Sequence, residues 1–410
     1  MPETPPPGAE PLDPVPAPRV LLAGGGTAGH VNPLLATAAA LRDPALGGRE
    51  EAGILVLGTA EGLEAGLVPE AGFDMAVVPR VPMPRRPTGD LFMLPRRLSR
   101  AVGAAGEAIE AVGAQVVVGF GGYVSTPAYL AARRAGVPVV IHEQNARPGL
   151  ANRLGASWAA AVALTFASTP LRSSKGRTEV TGLPLRPAIG ELVARLAEPD
   201  GAAAARRSGA AALGLDPRAP TVLITGGSLG AQRLNEVLAA ALPSLSPDLQ
   251  VLHLTGRDKD GPVRAAVEAA VAAGADPGLA ERYHVLDYLV AMEQAYACAD
   301  GVICRSGAGT VAELTALGLP ALYVPLPIGN GEQRLNAADV VAAGGGRLVA
   351  DAKLTAADVV DFTALLTRPA ERGAMAAAAA STGVRDGARR LADLIRTVAR
   401  EGCPSPRRKA

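Results

Sequence analysis

The chain has 410 residues, 49% apolar and 3% aromatic, with a formal charge of +1. That length is too great for one ordinary core and points to two domains, while the balanced charge gives no reason to expect a nucleic-acid partner. Three cysteines, Cys298, Cys304 and Cys403, are too few for a disulfide framework and lack metal-ligand spacing, which suggests a reducing compartment.

Residues 1–17 are proline-rich and have no apolar stretch, so they read as a disordered tail and no secretion signal. The longest uncharged run, 315–331, is broken by Pro320, Pro325 and Pro327, and no transmembrane helix is expected. Short apolar runs then alternate with helical patterns. The expected strands are 20–23, 54–57, 116–119, 137–141 and 161–164 in the first half. In the second they are 222–225, 250–254, 283–285, 301–304 and 321–324. Continuous apolar strands separated by helices indicate parallel sheets covered on both faces. Both halves open on a strand, a glycine-rich turn and a helix, "VLLAGGGTAGHVNP" and "VLITGGSLGAQRLN". The fold class is therefore α/β, two doubly wound Rossmann-like domains facing a cleft. Residues 187–220 read as linker plus an entry helix.

In the opening loop, Gly24, Gly26 and Gly29 match G-x-G-x-x-G. Asn32 suits an N-cap and Pro33 a first helical position, so the loop would meet a helix N-terminus able to hold an anion. A tight turn alone could also explain the glycines. Dinucleotide binding needs an acidic residue closing the second strand. That strand, "ILVLG", is followed by Thr59, which argues against it. His30, at the expected cleft mouth, is a candidate base. After the fourth expected strand, 137–141, His142, Glu143, Gln144 and Asn145 form a polar rim. The segment "RVPMPRRPTGDLFMLPRRLSR" interleaves Arg85, Arg86, Arg96 and Arg97 with Phe92, Met93 and Leu94, which suits docking on an anionic membrane.

In the second half, Ser228 lies in a second glycine turn that could hold phosphate. In "CRSGAGTVAEL", Thr310 and Glu313 have capping-box spacing. Glu313 could equally accept two ribose hydroxyls, and both roles stay open. Asn336 could cap the helix after it. Asp258-Lys259-Asp260 reads as a turn and helix start rather than a metal site.

With "GGGTAGHVNP", "GFGGYVSTP", "IHEQNARPGLANR", "TGLPLR", "GGSLGAQRLN", "CRSGAGTVAEL" and "GNGEQRLNA" in that order, the chain resembles the MurG family. These are peripheral membrane transferases that add N-acetylglucosamine to lipid I, making lipid II of peptidoglycan. The resemblance runs from Arg19 to Arg400. It implies a GT-B glycosyltransferase fold with an acceptor domain at 18–186 and a UDP-GlcNAc domain at 187–383. It also implies a returning helix at 384–400; the polar tail at 401–410 reads from its composition as disordered.

It implies donor contacts from Thr27, Ala28, Gly29, Asn145, Arg186, Ser228 and Leu289. Others would come from Ala308, Gly309, Thr310, Val311, Ala312, Glu313 and Gln333. Glu313 would hold the ribose and Gln333 the sugar. Four positions depart from the family pattern: Ala28 replaces a common Gly, Glu332 a common Gln, and Val290 and Ala291 common acids.

The implied chemistry is inverting transfer to the 4-hydroxyl of the muramyl sugar. His30 would be the base, with Glu143 as competitor. Amides near Thr310, rather than a metal or other cofactor, would stabilise the leaving UDP. Implied partners are UDP-GlcNAc, undecaprenyl-linked lipid I, an anionic inner-membrane surface and cell-wall or division machinery. The place of action would be the cytoplasmic face of the membrane. Alternatives are another GT-B enzyme, a glycolipid synthase or UDP-GlcNAc 2-epimerase, or a non-catalytic UDP-sugar-binding scaffold on the membrane.

Overall fold

A computed structural model describes residues 17–81, 94–227 and 232–402. Its first sheet contains β1 (Arg19–Ala23), β2 (Gly53–Gly58), β3 (Asp74–Val77), β4 (Val116–Gly119), β5 (Val139–Glu143), β6 (Ala161–Leu164) and β7 (Arg177–Val180). All pair in parallel, in the order 3-2-1-4-5-6-7. The second contains β8 (Thr221–Thr225), β9 (Gln250–Leu254), β10 (Tyr283–Leu286), β11 (Gly301–Cys304), β12 (Ala321–Tyr323) and β13 (Gly346–Leu348). Its order is 10-9-8-11-12-13, again all parallel. Strand order reverses between β1 and β4 and between β8 and β11. Such switch points leave a crevice at the strand carboxyl ends, and each sheet presents its crevice to the other lobe.

The ten expected strands are all present, with ends displaced by at most two residues. β3, β7 and β13 were not foreseen. All three are sheet edges, and their partly exposed residues give no continuous apolar run. The stretch read as linker is also corrected. It folds into helices Pro187–Leu196 and Gly201–Leu213, whose Ile189, Leu192, Ala205 and Ala210 are buried in the second lobe's core. Alanine and glycine on the second helix permit close approach to its neighbour. A Cβ at Gly209 would lie 2.6 Å from the Gln294 carbonyl.

The helix Gly387–Glu401 belongs structurally to the first lobe. Leu391, Leu394, Ile395 and Val398 pack with Val20, Leu22, Leu34 and Leu41. Arg396 donates to the Leu46 carbonyl at 3.0 Å, and Arg177 meets Glu401 at 2.6 Å. The chain therefore crosses between lobes twice. Other bonds join the lobes near the cleft: Arg147 to the Asn330 carbonyl, Ser168 Oγ to Asp339 at 3.0 Å, and Ala146 N–H to Asn336 Oδ1 at 2.8 Å.

Ile395 is fully buried, so Ile395→Ala should cost about 2–5 kcal/mol in chemical denaturation. Native-state hydrogen exchange should then quicken in β1, β2 and β4 before β8 and β11. Equal quickening in both sheets would contradict the assignment of this helix to the first lobe.

Candidate functional site

Between the lobes lies a cavity of about 640 Å3. Its floor is made of strand ends and the loops that follow them, the only segments a doubly wound sheet leaves free at that edge. Thr27, Ala28, Gly29, His30, Asn145, Arg186 and Leu289 line it, as do Ala308, Gly309, Thr310, Glu313 and Gln333. Val311 turns away, is buried, and lines a separate cavity of about 260 Å3 behind its helix. Ala312 packs against the second-lobe core. Ser228, Arg85, Arg86, Phe92 and Met93 lie outside the described residues.

The opening loop differs from expectation in two ways. Its helix begins at Ala28, capped by Thr27 in extended conformation, so Asn32 and Pro33 sit inside the helix rather than at its start. The loop's own amide is also occupied: Gly26 N–H donates to Glu64 Oε2 at 2.9 Å. Glu64 is fully buried. Its Oε1 accepts from Thr59 N–H at 3.0 Å and Thr59 Oγ1 at 2.8 Å. A Cβ at Gly25 or Gly62 would lie 2.4 or 2.2 Å from that carboxylate, so glycine is required there to make room for it. A protein carboxylate therefore takes the Gly26 amide that a dinucleotide's phosphate would use. Sequence reading missed Glu64 because it lies on the helix after β2, not at the strand's end.

His30 projects from the first turn of the opening helix. Its Nδ1 lies 2.9 Å from Thr27 Oγ1 and 3.2 Å from the Gly25 carbonyl. A carbonyl can only accept, which assigns the proton to Nδ1 and leaves Nε2 with its lone pair. Burial lowers the ring's pKa. The bond to Gly25 and the Glu64 charge partly offset that. The ring is therefore neutral at pH 7. A second cavity, of about 460 Å3, opens within the first lobe between this loop and the Gly121–Gly122 turn, and His30 lines it too. The two loops touch closely: a Cβ at Gly122 would come 2.6 Å from the Gly25 carbonyl.

Glu143 is buried and does not line the cleft. Its carboxylate accepts from Asn145 N–H and Gly149 N–H at 3.0 Å and from Asn152 Nδ2 at 2.9 Å. Burial raises its pKa, and these donors oppose the rise. His142 is a core histidine. Its Nε2 bonds the Gly182 carbonyl at 3.0 Å, and burial lowers its pKa to about 4.

On the second lobe, the helix Ala308–Leu317 starts after Gly307, so Thr310 lies inside its first turn rather than at its cap. Its first intrahelical bond runs from Val311 N–H to Gly307 O at 3.0 Å, so the preceding amides of Ala308, Gly309 and Thr310 point out of the helix toward the cleft. Glu313 is not part of a capping box. No side-chain cap bond forms. The carboxylate instead accepts from Arg186 Nε at 2.8 Å and Tyr296 OH at 3.0 Å. Burial keeps the Tyr296 hydroxyl well above its ordinary pKa, so it remains a donor.

Gln333 lines the cleft, and its Oε1 accepts from Leu326 N–H at 2.9 Å. Asn336 does not cap the following helix, which begins at Ala338. It bridges the lobes instead, its Nδ2 donating to Asn145 Oδ1 at 3.2 Å and Ser306 O at 3.3 Å. Asp258 occupies a left-handed turn (φ 58°), and Asp260 opens a helix and pairs with Arg264 at 3.0 Å. Among the described residues no group of three His, Cys, Asp or Glu gathers as metal ligands. Arg305, buried at the cleft and paired with Asp351, and Tyr288, under the Arg257 guanidinium at 4.1 Å, also line the region. Each follows an expected strand, which was the available signal.

The glycosyltransferase family 28 N-terminal domain matches residues 20–164, and the C-terminal domain of that family matches 221–391. A Clavibacter michiganensis protein is 50% identical over 95% of this chain and 99% of its own. A Bifidobacterium longum protein is 51% identical over 82% and 86%. Both carry the name UDP-N-acetylglucosamine–N-acetylmuramyl-(pentapeptide) pyrophosphoryl-undecaprenol N-acetylglucosamine transferase. The crystal structure of Acinetobacter baumannii MurG superposes with a TM-score of 0.71 at 28% identity, covering 93% of this chain and 99% of that one. A Neisseria meningitidis UDP-GlcNAc 2-epimerase, 15% identical with a TM-score of 0.63 over 91% and 98%, shares the fold.

Because Thr310 makes no capping bond, Thr310→Ala should change stability by less than about 0.5 kcal/mol, as at an ordinary surface site. A loss of about 1–2 kcal/mol in denaturant titration would restore the capping role.

Proposed function

The chain belongs to glycosyltransferase family 28 and, within it, to the MurG family, and on that premise we infer how its residues divide one reaction between two lobes. The protein transfers N-acetylglucosamine from UDP-GlcNAc to lipid I, forming lipid II for peptidoglycan. One observation carries the assignment of roles: His30 lines both the interlobe cavity and the first-lobe cavity. The first suits the sugar nucleotide and the second the muramyl end of the acceptor. A group facing both is placed where their reacting atoms meet.

The donor's diphosphate lies at the amides of Ala308, Gly309 and Thr310, where helix dipole and free N–H groups favour anions. Glu313 receives the ribose hydroxyls in the orientation fixed by Arg186 and Tyr296. The NH2 of Gln333 and the rim around Asn145 meet the amino sugar, and Leu289 flanks the uracil.

With the 4-hydroxyl of the acceptor against His30, Nε2 takes its proton. The hydroxyl oxygen bonds to the donor's anomeric carbon as the bond to UDP breaks, with inversion. Charge accumulating on the departing diphosphate meets preoriented amides, each such donor being worth about 10²–10³ in kcat. His30 is favoured over Glu143 because its ring is neutral, faces the space and carries a free lone pair, whereas three donors occupy the Glu143 carboxylate. Glu143 shapes the loop bearing Asn145.

The long acceptor tail requires a lipid surface nearby. Among the described residues no helix is long and apolar enough to cross a membrane. Residues 80–100 supply basic and apolar side chains suited to peripheral docking. Leu94, Arg96 and Arg97 begin the helix Leu94–Val112, whose Ala101, Val102, Ala105 and Ile109 are buried against the first sheet, anchoring the segment to the acceptor lobe.

His30→Ala should lower kcat by about 10²–10⁴-fold and leave the Kd for UDP-GlcNAc unchanged; unchanged turnover with a lipid I analogue removes His30 as the base. Glu313→Ala should weaken UDP binding more than it lowers Tm, and the reverse pattern would reduce Glu313 to a structural ion-pair partner. Changing Arg85, Arg86, Arg96 and Arg97 to Glu should abolish sedimentation with anionic vesicles at about 1 kcal/mol per lost Arg. Undiminished sedimentation would place the docking surface elsewhere.

A further inference from the structure

Glu64 is a buried carboxylate that the transfer mechanism above leaves without a role. It is fully enclosed, and its three donors are Gly26 N–H, Thr59 N–H and Thr59 Oγ1. It lines the first-lobe cavity together with His30. Gly26 is the next residue after Gly25, whose carbonyl fixes His30 Nδ1. The carboxylate and the imidazole thus grip adjacent residues of one loop. The surrounding glycines, Gly25, Gly58 and Gly62, are sites where a Cβ would meet the Glu64 side chain at 2.2–2.6 Å. A buried charge costs free energy unless hydrogen-bonded. A turn could have been closed by a neutral side chain, so the ionised group asks for a reason.

We propose that Glu64 is a positioning residue for the transfer reaction, holding the glycine loop in the shape that presents His30 and facing its ring with a fixed negative charge. The carboxylate stays ionised: burial would raise its pKa, but the Gly26 and Thr59 bonds outweigh that and leave it below the ordinary value. Its charge favours the imidazolium that forms when His30 takes the hydroxyl proton, and so opposes the loss of basicity that burial imposes. The arrangement parallels a carboxylate orienting a catalytic imidazole, with a peptide unit of the loop between them in place of a direct bond.

Other charged or titratable groups share the cavity linings with His30. On the acceptor side these are Glu61, Arg80 and Tyr123. Across the cleft Arg186 pairs with Glu313 and Arg305 with Asp351, and Asp287, Tyr288, Tyr296, Cys304 and Glu332 complete the set. Of all these, Glu64 is the one that holds the loop residue next to Gly25, whose carbonyl fixes the His30 ring.

The inference rests on His30 being the base, and the test separates the two ideas. Only four histidines are present, so ring titration of His30 can be followed by NMR in the full-length, substrate-free protein. Glu64→Gln removes the charge and keeps one acceptor oxygen, which can serve Thr59 while its NH2 faces the Gly26 N–H. The His30 midpoint should fall by about half to one pH unit. The acidic limb of kcat/KM for the acceptor should move down with it, and plateau kcat should drop several-fold while the KM for UDP-GlcNAc holds. Glu64→Asp, which draws the charge back by one methylene, should shift both in the same direction by part of that amount, and it carries the test if the Gln variant does not fold. A shifted NMR midpoint with an unshifted kinetic limb keeps the Glu64–His30 coupling and overturns His30 as base. An unshifted midpoint, with or without lost turnover, overturns the proposal and leaves Glu64 as a loop brace.

Discussion

The side chain of Asn336 is the contact on which the cleft depends. It belongs to the second lobe, accepts from the Ala146 amide of the first, and donates to Asn145 and to Ser306. One amide therefore sets the spacing between the rim after β5 and the loop after β11. The buried side chain makes three bonds that would each be costly to leave unmade. Arg186, at the head of the helix Pro187–Leu196, pairs with Glu313 and fixes that carboxylate at the cleft, and the returning helix gives the chain a second crossing. Each lobe keeps its own core, yet the loops at their facing edges are held in register.

The two lobes use one architectural plan for opposite ends. Both place a glycine-rich turn at a topological switch point, where backbone amides converge. In the first lobe the Gly26 amide is taken by the protein's own Glu64, and the loop serves to present His30. In the second, no carboxylate among the described residues takes the amides that open the helix at Ala308. Glu313 lies a turn further on, facing Arg186 and Tyr296. A single fold thus supplies a basic ring on one wall and an anion-binding helix end on the other, the two needs of a transfer that deprotonates an alcohol and expels a diphosphate.

The central strands were legible because each is buried on both faces and reads as an unbroken apolar run, as "VVVG" and "GVIC" do. The edge strands were not, since "DMAV" and "RTEV" expose part of their length. The cleft-lining positions followed from strand ends and motifs. What escaped was local hydrogen-bond choice. Thr310 and Glu313 have capping spacing, but Arg186, 127 residues away, claims the carboxylate. Asn32 and Pro33 suit a helix start, yet the helix begins at Ala28 because Thr27 adopts the extended cap conformation first. Asn336 looks like a cap and spans 190 residues to the other lobe. Polar residues that choose between a near and a far partner do so by tertiary geometry, which spacing does not encode.

The most direct measurement is a crystal structure of the protein with UDP-GlcNAc and a non-reacting lipid I analogue. The account predicts the nucleotide between the lobes, its diphosphate on the amides of Ala308–Thr310, and the acceptor's 4-hydroxyl within hydrogen-bonding reach of His30 Nε2. A sugar nucleotide bound away from that helix end, or an acceptor hydroxyl out of reach of His30 with another base beside it, would contradict it.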